Sequence, residues 1–498
     1  IEKGRQTHGE VVMRGLLETD LIVGIALVDM YSKWGCLETA KTLSEKLQNQ
    51  DVTSWNATIA TYAKHEQGEK ALDYLKQMQT EGFSPNSITF ACSLKACASL
   101  GDTVKGREIH ADVERRGLLD RSLLVGNALV DMYAKCGYLV KAQEAFDKLP
   151  RRDVVSWNTL IASHVKYGFN LEALEQLKEM QKEGFSPDVV TFVCSLKACG
   201  NIGAITKGIE LHNDIEEAGL LKNVCIGIAL VEMYAKYGLL EKARAVFDQL
   251  PNKNVIAWNT LMSGLWNNQE AMLGCFDEMQ QEGICPDAIT YICILKACCS
   301  IEDCGKGQDI HVEVMRKGME QDITIANSLV HMYAECGSLL EAQEMLEGIS
   351  VRSATSWRGL ISGYVKHGLN HKALDSLEQM QLEGLYPDAI TYVCCLNACR
   401  SIGSGMKGEK LHAEVVKYGM VEETTTPFIG SALVDMYSSC GFLSEAKVVF
   451  EKLCVRDVVS WTALIAGYAQ QDQGHEALKC FEEMKSDGVS PNSITFTF

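Results

Sequence analysis

One five-residue phrase recurs along the chain: VTSWN at 52, VVSWN at 154, VIAWN at 255, ATSWR at 354 and VVSWT at 458. Its tryptophans, Trp55, Trp157, Trp258, Trp357 and Trp461, are spaced by 102, 101, 99 and 104 residues. Self-similarity at a fixed period restricts a chain to solenoids, propellers or arrays before any single element is assigned. Each block divides into three units, which in the second block are 154–188, 189–223 and 224–254, of 35, 35 and 31 residues. The same division gives 52–86, 87–122 and 123–153 before it, then 255–287, 288–322 and 323–353, then 354–388, 389–426 and 427–457. With 21–51 and 458–492 there are fourteen complete units.

Inside a unit the apolar spacing is helical. Trp157, Leu160, Ile161 and Val165 fall on one face, Gly168 stops that helix, and Leu171, Leu174, Leu177 and Met180 line a second one. Gly184 and Pro187 then break the second helix. Two short amphipathic helices cannot bury their apolar faces alone, so each hairpin must stack on its neighbours, and the expected architecture is an all-α solenoid. Of the 498 residues 47% are hydrophobic and 22% charged, the balance of a folded chain, and no apolar run is long enough to span a membrane. None of the 20 cysteines forms a CxxC pair. Most sit in apolar helical phrases such as ACSLKAC and FVCSLKAC, which points to a reducing compartment rather than a disulfide framework. IEKGRQTHGEVVMRGLLETD aligns with VKGREIHADVERRGLLDRS, and SITFTF opens a further unit, so both ends are expected to continue into more repeat, with any targeting segment upstream of Ile1.

The three lengths, with SWNTLI and SPD in the first unit, TFVCSLKAC and KGIELH in the second and GNALVDMYAKCG in the third, resemble the P, L and S motifs of plant-type pentatricopeptide repeat (PPR) proteins of the PLS class. The resemblance implies a right-handed α-solenoid superhelix of helix-turn-helix repeats in P-L-S triplets. The organisation expected is 1–20 a partial L repeat, 21–51 an S repeat, P-L-S triplets at 52–153, 154–254, 255–353 and 354–457, a P repeat at 458–492, and 493–498 the start of a further L repeat.

It also implies single-stranded RNA as the ligand, one repeat per nucleotide, each base read by the fifth and last residues of a unit. The chemistry is sound on its own terms, since uracil and guanine present an N–H at the Watson–Crick edge whereas cytosine and adenine present a bare ring nitrogen. Ionised Asp can only accept, and so suits the first two, while Asn or Ser can donate to the others. The pairs are Asn56/Asn86, Asn127/Asp153, Asn158/Asp188, Asn259/Asp287, Asn327/Ser353, Ser431/Asp457 and Thr462/Asn492, all expected to face an inner groove. Helix capping by the same residues is the competing explanation. With the N-terminus toward the RNA 5′ end, the family's code gives NYNUUNNUNCNNGA. Ile25/Asp51, Ile228/Asn254 and Arg358/Asp388 depart from it, and the L units carry apolar Ala91, Val193, Ile292 and Val393 at the fifth position.

The resemblance implies that the second residues Thr53, Leu124, Val155, Ile256 and Val459 lie between neighbouring bases, ordinary apolar residues at a helix entry being the competing explanation. Phosphate contacts are assigned to the thirteenth position, where Lys33, Lys64, Lys135, Lys166, Lys236 and Lys366 stand, with Asn267, Glu335, Ser439 and Gln470 in the other P and S units; solvated helix ends complementing the helix dipole are the competing explanation. A local lysine ridge is needed because the net charge is −18, awkward for an RNA binder.

His110, His212, His311 and His412 each follow a cysteine (Cys97, Cys199, Cys298, Cys399) by thirteen residues. One Cys and one His per L unit fall short of four zinc ligands, so these are assigned to packing between the two helices of that unit. HVE at 311 and HAE at 412 look like a zinc deaminase signature, but the CxxC such a site requires is missing. No catalytic residue, metal or cofactor is expected. The resemblance implies the recognition tract of a mitochondrial or chloroplast C-to-U RNA editing factor, acting with a deaminase in cis or in trans and an accessory editing factor at the L repeats. The alternatives are an organellar RNA stabilisation, splicing or ribosome-associated factor and, from another class, a protein-interaction scaffold.

Overall fold

A computed structural model describes residues 2–16, 21–34, 36, 39–40, 42–43, 51–65, 67–420 and 427–497; the remaining parts of the units expected at 1–20, 21–51, 52–86, 389–426 and 493–498 lie outside the described residues. Among the described residues there are 28 α-helices, one short 3₁₀ turn and no strand. The chain forms two compact units, 1–253 and 254–498.

Each unit is a row of helical hairpins. In the first unit the leading helices include Leu21–Lys33, Val52–Lys64, Ser87–Leu100, Leu123–Lys135, Val154–Lys166, Val189–Ile202 and Val224–Lys236. In the second they are Val255–Gly264, Ala288–Ile301, Ile323–Glu335, Ala354–Lys366, Ala389–Ile402, Pro427–Ser439 and Val458–Gln470. Within each unit every leading helix packs on the next leading helix. The trailing helices pack on leading helices instead: Asn170–Lys182, for example, lies against both Val154–Lys166 and Val189–Ile202. Leading helices are thus the more closely spaced row, and they line the inner side of each unit.

The start of a leading helix is fixed by a capping box. Asp153 Oδ1 accepts the Ser156 N–H at 2.8 Å, and Ser156 Oγ accepts the Asp153 N–H at 2.8 Å. The stop is fixed by glycine: Gly168 has φ +83°, a conformation costly for any residue with a Cβ. Between these signals Trp157, Leu160 and Ile161 are buried, as are Ala173, Leu174, Leu177 and Met180 of the trailing helix. Leu171 is 65% exposed, against the sequence expectation. It lies on the side of its helix opposite Met180, nine residues on, while Ala173 fills the core-facing position.

The recurrent histidines tie one hairpin to the next, rather than the two helices of their own hairpin as expected. Nδ1 of His110, His212, His311 and His412 lies 2.9, 2.7, 2.9 and 3.0 Å from the hydroxyl of Tyr133, Tyr234, Tyr333 and Tyr437 on the following leading helix. Burial holds all four imidazoles below their ordinary pKa, so they sit neutral at this junction. Burial, with Asp102 next, pushes the Cys97 thiol up to about 12; burial alone dominates at Cys199 and Cys399, both at about 11. These cysteines pack as small apolar groups.

Candidate nucleic-acid interface

The fifth residue of a unit lies one turn into its leading helix, and the last residue caps the next leading helix. Because leading helices pack side by side, the two side chains meet. The fifth-residue Nδ2 donates to the last-residue Oδ1 at 3.1 Å from Asn56 to Asn86, 3.2 Å from Asn127 to Asp153, and 2.9 Å both from Asn158 to Asp188 and from Asn259 to Asp287. Asn327 Nδ2 donates to Ser353 Oγ at 3.4 Å, and Ser431 Oγ donates to Asp457 Oδ1 at 3.1 Å. Thr462 and Asn492 are joined through Thr495, whose hydroxyl lies 2.8 Å from each.

A third member of the cluster has no counterpart in the sequence reading. The hydroxyl three residues into the following helix donates to the asparagine's Oδ1: Thr89 to Asn56 and Thr191 to Asn158 at 2.5 Å, Ser356 to Asn327 at 2.6 Å and Thr290 to Asn259 at 2.7 Å. The signal was present as a Thr or Ser at the third position of the unit that follows each of these asparagines, where it reads as half of a capping box. At Asn127 this bond is missing, and its buried Oδ1 has no partner among the described residues.

These bonds pull the asparagines in. Asn56, Asn158 and Asn259 are only 6%, 8% and 8% exposed, whereas both members of each pair were expected to stand open in the groove. The last residue keeps the open edge. All of Asp188's side-chain hydrogen bonds use Oδ1, from the backbone N–H of Val190 and Thr191, the Thr191 hydroxyl and the Asn158 amide. Oδ2 is left without a partner among the described residues. Asp153 and Asp287 repeat this arrangement. Capping and pairing therefore coexist on one carboxylate. Burial raises these carboxyls, but the hydrogen bonds outweigh it, led by those from Ser156 at Asp153 and from the neighbouring Thr N–H at Asp188 and Asp287. All three are held below the ordinary carboxylate value. Each is an ionised acceptor at neutral pH.

Asn86 differs from these aspartates, and from the expectation that it serves either pyrimidine. Its single oxygen is taken up by the helix cap, accepting the N–H of Ile88 at 3.0 Å and of Thr89 at 3.1 Å, the Thr89 hydroxyl at 3.1 Å and the Asn56 amide. An amide has no second oxygen, so the exposed edge of Asn86 carries only the Nδ2 donor and offers uracil's N–H no acceptor.

Of the three departures, Arg358 and Asp388 form a 2.6 Å ion pair that uses Asp388 Oδ2. Ile25 and Ile228 are half-buried. Among the L-unit fifth residues Ala91 is buried, and Val193, Ile292 and Val393 are half-buried.

The second residues form an exposed row along the leading helices. Thr53 is exposed, as are Leu124, Val155, Ile256 and Val459 at 49 to 58%. The row also takes in Ile88, Val190, Ile289, Ile390 and Phe428, which the sequence reading passed over although their place in the unit is the same. All six thirteenth-position lysines are exposed. Several are held by acids: Lys135 by Asp131 at 2.9 Å, Lys236 by Glu232 at 2.8 Å, and Lys366 by Glu302 at 2.9 Å and Glu335 at 3.1 Å. Lys166 lies 5.3 Å from the Tyr167 ring. No group of three or more metal-ligating side chains is found among the described residues.

The sequence matches the PPR repeat family over 50–99, 152–201, 253–300, 352–401 and 456–498, and the PPR repeat over 127–154, 229–255 and 431–458. It is 34% identical to a mitochondrial pentatricopeptide repeat-containing protein of Arabidopsis thaliana, over 100% of this chain and 64% of that protein. It is 32% identical to a chloroplastic one, over 94% of this chain and 58% of that protein. A further mitochondrial one is 30% identical over 100% of this chain and 72% of its own length. The chain thus spans about three fifths of the first two relatives. In fold it is similar to the crystal structure of the maize pentatricopeptide repeat protein PPR10, with TM-score 0.60 at 18% identity, covering 95% of this chain and 80% of that one. The structure of PPR10 in complex with an 18-nt psaJ RNA element gives TM-score 0.55 at 17% identity, covering 96% of this chain and 80% of that one.

Proposed function

The chain belongs to the PPR repeat family, and from that premise we propose that it binds single-stranded RNA by sequence, one hairpin to one nucleotide, through the fifth and last residues of its units. The observation that carries this reading is the open second oxygen of Asp153, Asp188 and Asp287. Each carboxylate is ionised, fixed in place by its bonds through Oδ1, and free to accept the N–H of uracil or guanine through Oδ2. The amide beside it has committed one N–H to the pair and keeps the other. At Asn86 the same place holds a donor, which suits the bare ring nitrogen of cytosine and narrows the second letter of the target from Y to C. The RNA bound by maize PPR10 supports carrying this ligand class to the present chain.

The exposed second residues supply apolar surface against which bases lie. Aliphatic contact is weaker than the roughly 1–3 kcal/mol per base of aromatic stacking, so affinity accumulates over many hairpins, with Phe428 the one aromatic member of the row. The phosphate-contacting lysines are Lys33, Lys64, Lys135, Lys166, Lys236 and Lys366, and a phosphate displaces the carboxylate partners of Lys135, Lys236 and Lys366 when the strand binds.

At finer grain we read the chain as the PLS-type recognition tract of an organellar C-to-U editing factor. It would place a cytidine for a deaminase in cis or in trans, with L hairpins open to an accessory factor. The alternation of unit lengths supports the class, and relatives named mitochondrial and chloroplastic support either organelle. A role in transcript stabilisation, splicing or ribosome association is the second reading, favoured by the apolar L-unit fifth residues and the acidic balance. Filter binding with NYNUUNNUNCNNGA, carrying C at its second position, against its shuffles tests the proposal: tighter binding of the 14-mer is expected, and equal or absent binding favours a protein-interaction scaffold.

A further inference from the structure

The second unit holds a cavity of about 510 Å³ on the inner side of four consecutive leading helices, at Ile292, Lys296, Asn327, His331, Arg358 and Ile390 among others. Two departures from the repeat meet there. At the ninth position S units carry an acid: Asp131 and Glu232 each bind the lysine four residues on, and Asp435 binds Arg400 at 2.9 Å. In the unit 323–353 the order is inverted, with His331 at the ninth position and Glu335 at the thirteenth. In the next unit Arg358 replaces the fifth-position asparagine and takes Asp388 Oδ2, the oxygen that stays open in Asp188. No carboxylate oxygen remains there for a base N–H.

The charge left facing the cavity is positive. Lys296 forms no ion pair or side-chain hydrogen bond among the described residues. Arg358 spends one nitrogen on Asp388 and keeps the others of its fork. His331 Nδ1 is buried without a hydrogen-bond partner. Two acids lie near. Asp388 is paired to Arg358, and Glu335, 3.8 Å from His331, is held by Lys366 and accepts from Ser362 at 3.4 Å.

We propose that this cavity is a phosphate subsite: Lys296, His331 and Arg358 clamp the backbone of the bound strand at the linkage between nucleotides 10 and 11, and the unit 354–388 reads no base. The assignment rests on the RNA reading above. The guanidinium fork and the ammonium match a phosphodiester's charge, and the imidazole, held below its ordinary pKa by burial, adds a neutral hydrogen-bonding group for its oxygens.

The test is binding of the 14-mer to the full chain over a salt series, with a neutral methylphosphonate placed at linkage 10–11 or, as control, 8–9. The expected loss is about tenfold at 10–11 and about twofold or less at 8–9. Arg358→Asn, which restores the repeat's own fifth residue and so keeps the fold, should lower the log–log salt slope by about 0.7, and Lys296→Ala with it by about 1.4. Equal losses at the two linkages, or an unchanged slope with a new base preference at nucleotide 11, would overturn the clamp. If shuffled RNAs bind as well as the 14-mer, base reading fails and the slope alone decides: a fall of about 0.7 sustains the clamp and no fall removes it. A chain that binds no RNA overturns both.

Discussion

Asp188 does two jobs with two oxygens. Oδ1 caps the helix Val189–Ile202 and receives the Asn158 amide, while Oδ2 faces outward. The jobs separate by substitution. Asp188→Ala removes the cap and should destabilise the chain by about 1 kcal/mol in denaturant unfolding. Asp188→Asn keeps an acceptor for the cap, as Asn86 does in its own unit, and should stay within about 0.5 kcal/mol of wild type. It places an N–H where the carboxylate oxygen was, so preference at nucleotide 5 should move from U toward C. Acid separates the variants further. Asp188's folded pKa lies below the ordinary 3.8, so its contribution is complete above that value and is lost as pH falls through the folded one. The stability advantage of wild type over Asp188→Asn should therefore be constant from neutral pH down to about 5 and shrink below 3.8, and an advantage unchanged at pH 3 would contradict this.

At the scale of the hairpin, spacing between leading helices decides which residues are tolerated. A Cβ on Gly363 would lie 2.5 Å from Ala334 Cβ and 2.8 Å from the Ala334 carbonyl oxygen on the preceding leading helix. Helix propensity alone favours alanine by about 1 kcal/mol, but backbone cannot yield as a flexible side chain can, so Gly363→Ala should destabilise by about 1–2 kcal/mol. Gly274, mid-helix with nothing within 4 Å, is the control: Gly274→Ala should be neutral or stabilise by up to about 1 kcal/mol. Thermal melts of the two variants read the contrast, and equal shifts would mean the leading helices are not held at this spacing.

The same scale explains what the sequence could disclose. Local signals such as Gly168 and the Trp157 face belong to one hairpin and can be read from its own residues. The fifth and last residues were also visible, because they vary in an otherwise fixed frame. Contacts between hairpins were not. The His110–Tyr133 bond and the Thr191 hydroxyl on Asn158 join residues 23 and 33 positions apart, and neither partner is unusual by itself. The near closure of Asn158 follows from those bonds and could not be had without them. Nor does the letter Asn at 86 say which end of its amide is spent on the cap; that follows only from the bonds it makes. The Lys135–Asp131 pair was legible as an i,i+4 spacing but yields to the phosphate reading unless the acid is weighed.

Over the whole chain, 65 acidic residues against 47 basic ones leave little general attraction for a polyanion. On the proposed reading, recognition comes from many small, local contacts, each hairpin adding a base edge, an apolar face and at best one cation. Such a molecule is more sensitive to sequence than to salt, and a single hairpin can be altered without disturbing the rest. The hairpin 154–188 offers the most direct trial. Asn158→Thr leaves Asp188 as acceptor and installs the side chain that Thr462 already shows fits this position. Competition binding with all four bases at nucleotide 5 should shift preference from U in wild type to G in the variant, by about tenfold, with U still preferred at nucleotide 8, opposite Asn259 and Asp287. The same order of bases at nucleotide 5 in both proteins would contradict the pairing of one hairpin with one base.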